Sequence, residues 1–186
     1  MSTSAPATSA VSTWSIDPVH SIAEFRVRHL MISNVRGQFT GVTGSLTFNE
    51  NDLAQSHVEA SIDVATVDTR DPQRDTHLKS ADFFDVEKFA TMTFTSSRVT
   101  RSGDGSLIVA GPLSLHGVSK EVEFTVEGPT APVKDPWGNT RIGVHAKTKI
   151  NRGEFGLTFN AAMETGGVMV GEEVSITLEL EFVKAA

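Results

Sequence analysis

The sequence predicts an all-β fold, with an antiparallel sheet that closes on itself or forms a sandwich. About eight stretches alternate apolar and polar residues with a period of two, as strands with one buried face do. Most of these stretches are joined by short turns, and residues 102–105, Ser-Gly-Asp-Gly, form a hairpin signal. No short internal repeat is present, so we expect neither a solenoid nor a propeller.

The alternation predicts which side of each strand faces the interior, because a slip of one residue would turn every side chain to the other face. The positions predicted to face inward are Phe25, Val27, Ile62, Val64, Phe94, Leu113, Val144, Ile176 and Leu178. The positions predicted to face solvent include Glu24, Arg26, Glu59, Lys147 and Glu179. On one strand Ile108 and Ala110 lie on the outer side as well. Since an exposed apolar patch usually marks an interface, this predicts a homodimer.

Residues 70–84 depart from the period of two. Asp71 followed by Pro72 is a helix-start signal, because the Asp side chain can accept from free N–H groups and Pro has no N–H to lose. We therefore predict a short helix from Pro72 to Lys79. It is followed by adjacent aromatic rings, so the segment is expected to plug one end of the β-structure with Leu78, Phe83 and Phe84. One of the two rings is expected to face the lumen and the other to pack against the wall.

Length, charge and composition limit the class of protein. The 186 residues suffice for one domain with a real core, and the absence of Cys excludes disulfides. The net charge of −7 argues against nucleic-acid binding, and no apolar run is long enough for a transmembrane segment. Residues 1–13 lack the basic and apolar regions of a secretory signal. We therefore expect a disordered tail over 1–13, one domain over 14–186, and a cytoplasmic location.

Five motifs occur in an order that resembles a known family. They are Trp14-Ser-Ile-Asp-Pro-Val-His-Ser, Arg74-Asp-Thr-His-Leu-Lys-Ser-Ala-Asp-Phe-Phe-Asp, Gly111-Pro-Leu-Ser-Leu-His-Gly-Val, Ile150-Asn-Arg-Gly-Glu-Phe-Gly and Val170-Gly-Glu-Glu-Val-Ser-Ile. Over residues 14–182 the chain resembles the YceI-like family of polyisoprenoid-binding or lipid-binding proteins. The resemblance implies an extended, eight-stranded, lipocalin-like antiparallel β-barrel with a short helical insert. Many bacterial relatives are periplasmic, which conflicts with the location expected from the N-terminus.

The resemblance also implies a ligand and no chemical step. The ligand would be a long-chain lipid, such as a polyisoprenoid, an isoprenoid quinone or a fatty-acid derivative, carried or sequestered in the barrel without a cofactor. From the residues alone, a filled core that serves only as an interaction module explains the pattern equally well. The candidate ligand-binding residues are Phe25, Val27, Phe39, Ile62, Val64, Leu78, Phe83, Phe84, Phe94, Leu113, Leu115, Val144, Ile150, Phe155, Phe159, Met163, Met169, Ile176 and Leu178.

Polar residues near the predicted helix and strand ends leave two alternatives open. Candidate contacts to a lipid headgroup are His20, Arg74, His77 and Arg152, although Arg152 also suits a structural cap on a barrel end. An enzyme acting on an isoprenoid lipid would instead use Arg74, Asp75 and His77 as an acid/base set. An ion pair with helix-start charges explains the same three residues. The scattered histidines and the lack of Cys predict no metal site, and no Gly-x-Ser-x-Gly motif is present.

Overall fold

The computed structural model describes residues 11–186, in which the predicted antiparallel β-barrel with one short helix is confirmed. The strands are β1 (Val11–Ile16), β2 (Ile22–His29), β3 (Ser33–Phe39), β4 (Val42–Asn49), β5 (His57–Asp63), β6 (Thr91–Thr95), β7 (Arg98–Arg101), β8 (Leu107–Leu115), β9 (Val118–Glu127), β10 (Val133–Lys134), β11 (Thr140–Asn151) and β12 (Val170–Lys184). The helix is α1 (Pro72–Lys79), and 3-10 turns span Leu53–Gln55, Val64–Thr66 and Arg152–Phe155. Within the described residues, no helix has the length and hydrophobicity required to cross a bilayer.

Eight strands close the barrel in the order β1, β12, β11, β9, β8, β6, β5 and β4, with β4 pairing back to β1. The long strand β12 makes this closure. One of its edges pairs with β11 over nearly its whole length, while the other edge pairs first with β2 and then, near its end, with β1. The hairpin of β2 and β3 therefore extends the wall at one end of the barrel, and its outer strand is bridged from Gln38 to Asp68.

The helix begins and ends where the sequence predicts. The Asp71 side chain accepts hydrogen bonds from the backbone N–H groups of Gln73 and Arg74, and Pro72 occupies the first turn. At the other end the Phe84 N–H donates to the carbonyl of Leu78, which turns the chain back toward the barrel. The helix has no fully buried residue, and it is held in place by Leu78 and Phe84, which pack against the core.

Most of the predicted facing of strand residues is confirmed. The predicted outward residues Glu24, Arg26, Glu59, Lys147 and Glu179 are all exposed. Among the predicted inward positions, the exception is Val64. It is buried in the core, but it lies in a 3-10 turn whose backbone no longer alternates, so it does not line the lumen.

The expected tail is wrong for its last three residues. Val11, Ser12 and Thr13 belong to β1 and pair with residues 47–49 of β4, because the barrel needs this strand to fill the gap between β4 and β12. Residues 1–10, the remainder of the expected tail, lie outside the described residues.

The prediction that Ala110 belongs to an exposed apolar patch on β8 is also wrong. Ala110 is 0% exposed, although it points away from the lumen. Its neighbours on the adjoining strands are Arg98 and Glu123, whose side chains form an ion pair of 2.8 Å and cover the small Ala between them. Of the two residues expected to form an exposed apolar patch, only Ile108 remains. The homodimer therefore stays a prediction.

At the barrel end opposite α1, Arg141 forms ion pairs that connect three segments. Its guanidinium donates to Asp17 at 2.6 Å, Asp135 at 2.7 Å and Glu181 at 2.5 Å, which joins the β1–β2 turn, the β10–β11 loop and β12. These hydrogen bonds hold the pKa of Asp135 at about 2 and the pKa of Asp17 well below its ordinary value. The hydrogen bonds that Arg141 donates to Asp17 and Asp135 in turn raise the pKa of Arg141.

We expect this network to make stability fall with acid between about pH 4 and pH 2. The unfolded-state Asp pKa is 3.8 and the folded values are lower, so the pairs stabilise the fold above pH 4 and lose that effect as pH falls through the folded values. Arg141→Met should lower the melting temperature at pH 7 and flatten its decline between pH 4 and 2. Arg98→Met, which breaks an exposed pair, is the control and should leave the decline unchanged. Equal declines in wild type and Arg141→Met would contradict the assignment.

Candidate ligand cavity

An elongated cavity of about 360 Å³ lies inside the barrel. All the described strands except β1 and β10 contribute to its wall. Along β12 the lining extends from Val170 to Phe182, about 40 Å of extended strand, which spans about 30 Å along the axis of a barrel with strands tilted by about 40°. The cavity is therefore long enough for a chain-shaped molecule.

Most of the residues predicted to contact a ligand line this cavity. They are Phe25, Val27, Phe39, Ile62, Leu78, Phe83, Phe84, Phe94, Leu113, Leu115, Val144, Ile150, Phe159, Met169, Ile176 and Leu178. Three rings form a continuous row, since the centroids of Phe25 and Phe39 and those of Phe39 and Phe84 are each 5.6 Å apart. Small side chains lie between the large ones on the lining, namely Ala23, Ala60 and Ala146, and they leave the lumen open.

Three predicted apolar residues do not line the cavity. Val64 and Phe155 lie in 3-10 turns and are buried in the surrounding core, where the alternation of a strand does not apply. Met163 lies in the turn before β12, where its N–H donates to the carbonyl of Gly167 and its side chain stays outside the lumen. A Met-rich segment predicts adaptable packing but gives no direction for any one side chain.

His20 also lies outside the cavity, contrary to the prediction of a headgroup contact. Its Nδ1 is 2.9 Å from Asp17, in the Arg141 network at the opposite end of the barrel. Asp17, His20 and Glu181 bring three potential metal-ligand atoms within 4.8 Å of one another. Because the Arg141 guanidinium already binds both carboxylates, we assign this cluster to the ion-pair network.

Several lining residues were not predicted. Most lie on strand faces whose alternation would have found them, while Leu157 follows a 3-10 turn and carries no such signal. The set includes Val42, Leu46, Phe48, Met92, Phe124, Leu157, Leu180 and Phe182.

Basic and aromatic side chains surround the cavity at the end covered by α1. The lining there includes Arg28, His29, Arg74, His77 and Arg152. The His77 ring packs edge-on against Phe83 and Phe159, with centroids 5.1 and 4.9 Å away, and the two Phe rings are 4.9 Å apart. We call this end, defined by α1, Phe83, Phe159 and the five basic residues, the mouth.

Arg152 acts as the structural cap that the sequence allowed. It is only 6% exposed, and its guanidinium donates to the carbonyls of Leu157 at 2.6 Å, Gly171 at 2.8 Å, Phe159 at 2.9 Å and Val170 at 3.2 Å. Burial lowers the pKa of Arg152, and the charge of Glu172 opposes that effect. Its donors thus fix the two segments that frame the mouth.

Of the three candidate acid/base residues on α1, Arg74 and Asp75 both bind Thr69, whereas His77 has a different partner. Arg74 donates to the hydroxyl and carbonyl of Thr69, at 2.7 and 2.8 Å. The Asp75 carboxylate accepts from the backbone N–H and hydroxyl of the same Thr69, at 2.9 and 2.5 Å. His77 lies 2.8 Å from Asp82. These contacts fit the helix-start interpretation better than a shared catalytic set.

Both adjacent aromatic rings line the cavity, so the expectation that only one does is wrong. They nevertheless differ in packing. Phe84 contacts Phe39 in a T-shaped pair and belongs to the residues that pack on the core. Phe83 contacts His77 and Phe159 at the mouth. The chain bends after α1, which lets consecutive side chains reach the same space.

We expect the two rings to respond differently to truncation. Phe84→Ala should lower the free energy of unfolding by about 3 kcal/mol, because it removes a ring packed on the core and leaves a cavity. Phe83→Ala should cost less than half of that but should speed the release of bound lipid. Urea unfolding with and without lipid checks both effects. Equal destabilisation with unchanged lipid release would make the segment a structural plug only.

Comparisons with known proteins give consistent results. The model of the YceI-like domain matches residues 14–182. A UPF0312 protein of Staphylococcus aureus (strain USA300) is 34% identical over 173 residues, which are 92% of this chain and 98% of the relative. The structure of a Campylobacter jejuni YCEI protein is 27% identical with a TM-score of 0.68, covering 86% of this chain and 90% of that one. A polyisoprenoid binding domain from Saccharophagus degradans has the same fold, with a TM-score of 0.67 at 18% identity over 92% of this chain and 98% of that one. The chain therefore belongs to the YceI-like family.

Proposed function

We propose that the protein holds a long-chain lipid inside its barrel and carries or sequesters it without a chemical step. The proposed ligands are a polyisoprenoid, an isoprenoid quinone or a fatty-acid derivative. The observation that carries this proposal is the long cavity of about 360 Å³, whose wall is largely apolar. A compact ligand would leave much of this length unfilled, whereas an extended chain would fill it.

Burial alone supplies enough affinity for such a ligand. Each methylene removed from water contributes about 0.8 kcal/mol, so a chain of several isoprene units needs no charged contact to bind tightly. The preformed lumen lowers the ordering cost further, since the wall is a closed sheet. The Saccharophagus degradans structure, described as a polyisoprenoid binding domain, has the same fold and supports this class of ligand.

The mouth suits the polar end of the lipid. Arg74 and His77 line it and both are partly exposed, so we propose them as headgroup contacts. The N–H groups of Arg152 are largely occupied by four backbone carbonyls. We therefore propose that Arg152 mainly orders the mouth and contributes less to headgroup binding than Arg74 and His77 do.

A binding role is also favoured over lipid chemistry. A general acid or base must lie within hydrogen-bond reach of the group it serves, and Asp75 is instead occupied by Thr69. Incubation of the protein with candidate lipids, followed by mass spectrometry, should give no product. A product that forms with wild type and is lost with His77→Ala, while lipid binding remains, would favour the enzyme.

Ligand-induced stabilisation tests the proposed binding directly. Added polyprenyl phosphate should raise the melting temperature, since a ligand at 100 times its dissociation constant stabilises the native state by about 2.7 kcal/mol. Short-chain prenyl phosphates, which have the same headgroup, serve as the control and should stabilise much less. Absence of stabilisation by polyprenyl phosphate, ubiquinone and long-chain fatty acid alike would refute the proposal.

A further inference from the structure

The turn between β2 and β3 exposes three consecutive apolar residues. Leu30, Met31 and Ile32 are 37%, 50% and 79% exposed, and Val168 in the neighbouring loop is 37% exposed. These four account for half of the large exposed hydrophobic residues in the described part of the chain. We call Leu30, Met31 and Ile32 the hairpin tip. Apolar residues gathered in this way usually mark a binding surface.

The hairpin tip adjoins the mouth of the cavity. The Leu30 N–H donates to the carbonyl of Met169 at 2.8 Å, and Met169 lines the cavity. Met31 Cγ lies 3.8 Å from the position that a methyl group on Gly167 would take, so the tip also contacts the loop that carries Val168. A partner that covers the tip would therefore meet the mouth as well.

Leu30 and Met31 adopt a backbone conformation that is unfavourable for their residue types. Leu30 and Met31 have φ values of 49° and 60°, in the left-handed region that Asn and Gly adopt more readily in hairpin turns. Asn-Gly would satisfy this turn with a polar surface. The combination of strain with exposed apolar side chains points to a use for them that folding alone does not explain.

The hairpin that carries the tip is positively charged. Residues 22–39 contain three arginines and a single glutamate, although the whole chain carries −7. Arg26 and Arg36 lie directly opposite each other on the outer face, and neither forms an ion pair within residues 11–186. Arg28 donates to the carbonyl of Met31 at 2.7 Å. Like charges side by side are unfavourable until an anionic partner arrives.

We propose that the hairpin tip inserts into the interface of an anionic lipid bilayer and sets the mouth against the membrane, where the lipid enters or leaves. Apolar side chains that sink below the headgroups, flanked by arginines that meet the phosphates, are the chemistry of interfacial membrane binding. The transfer of lipid through the docked mouth rests on the proposed lipid-holding function. Membrane docking itself can be measured independently of bound lipid.

Vesicle flotation tests the docking. The wild-type protein should float with vesicles of equal parts phosphatidylcholine and phosphatidylglycerol, and less with phosphatidylcholine alone or at high salt. The variant Met31→Ser/Ile32→Ser should bind the anionic vesicles at least about tenfold more weakly. The loss of about two methylenes buried in the bilayer already lowers the affinity by that factor. Met31→Leu/Ile32→Leu should restore binding. Trp137→Ser removes another exposed apolar residue, in the β10–β11 loop, and should bind like wild type.

Three outcomes would overturn the docking. Wild type that does not float, or an equal loss in Trp137→Ser, would refute it. A tip variant that floats normally but no longer self-associates in sedimentation would assign the tip to a second copy of the chain. Solvent extraction after loading with lipid from detergent solution separates docking from lipid holding. The tip variant should then contain as much lipid as wild type, because Met31 and Ile32 do not line the cavity. Tip-dependent floating by a wild type that holds no lipid would keep the docking and refute the proposed function.

Discussion

Replacing Arg152 with Met is expected to lower the free energy of unfolding by about 3 to 5 kcal/mol, a large share of the stability of a domain of this size. The Met side chain fills much of the same volume but leaves the carbonyls of Leu157, Gly171, Phe159 and Val170 without their donors. Each buried polar group without a partner costs about 1 to 3 kcal/mol. Urea-induced unfolding, followed by circular dichroism, measures the difference.

Two controls make this result specific. Arg152→Lys keeps the charge, but an ammonium group lacks the planar guanidinium that reaches four carbonyls. This variant should therefore recover only part of the lost stability. Arg101→Met removes an exposed arginine that donates to the carbonyl of Gly105 and should change stability by less than about 0.5 kcal/mol. If Arg152→Met were as stable as Arg101→Met, the assignment of Arg152 as the cap of the barrel end would be wrong.

Filling the cavity is expected to expel the lipid while leaving the barrel folded. Ala60 lies on β5 and lines the lumen, so Ala60→Trp places a large ring where the chain of the lipid would run. The expected result is a lipid content at least about tenfold below wild type, since displacing even a few methylenes weakens binding by that factor. Overpacking a full core costs about 1 to 3 kcal/mol, but an open lumen should accept the ring at the low end of that range.

The neighbouring residue supplies the matched control. Glu59 on the same strand faces solvent, so Glu59→Trp adds the same ring on the outside of the barrel and should keep the full lipid content. Extraction and quantification of lipid from equal amounts of folded protein give the comparison. Equal lipid content in both variants would place the ligand outside this cavity.

Local signals in the sequence predicted much of the fold. Asp71 and Pro72 define the start of α1 through contacts within a few residues, so a reading of the sequence could find it. The strand faces that carry Phe25 and Ile176 were also predictable, because alternation depends on neighbouring residues alone. Val64 and Phe155 were misplaced, since the change from strand to 3-10 turn is decided by packing with distant segments.

Long-range pairing explains the other errors. The sequence does not indicate that β12 pairs with β11 on one edge and with both β2 and β1 on the other, so Val11 could not be recognised as part of β1. Ala110 looked exposed because its cover comes from β7 and β9. Alternation gives the side that faces inward but not the distance between opposite walls, so a cavity and a packed core were indistinguishable. The ligand class came from the family resemblance.

Extraction of the purified protein with organic solvent, followed by mass spectrometry, shows whether the barrel holds a lipid. Wild type and Glu59→Trp should contain a long-chain lipid in near-stoichiometric amount, and Ala60→Trp should contain little. Wild type that yields no lipid and cannot be loaded with polyprenyl phosphate, ubiquinone or a long-chain fatty acid would refute lipid holding in the barrel.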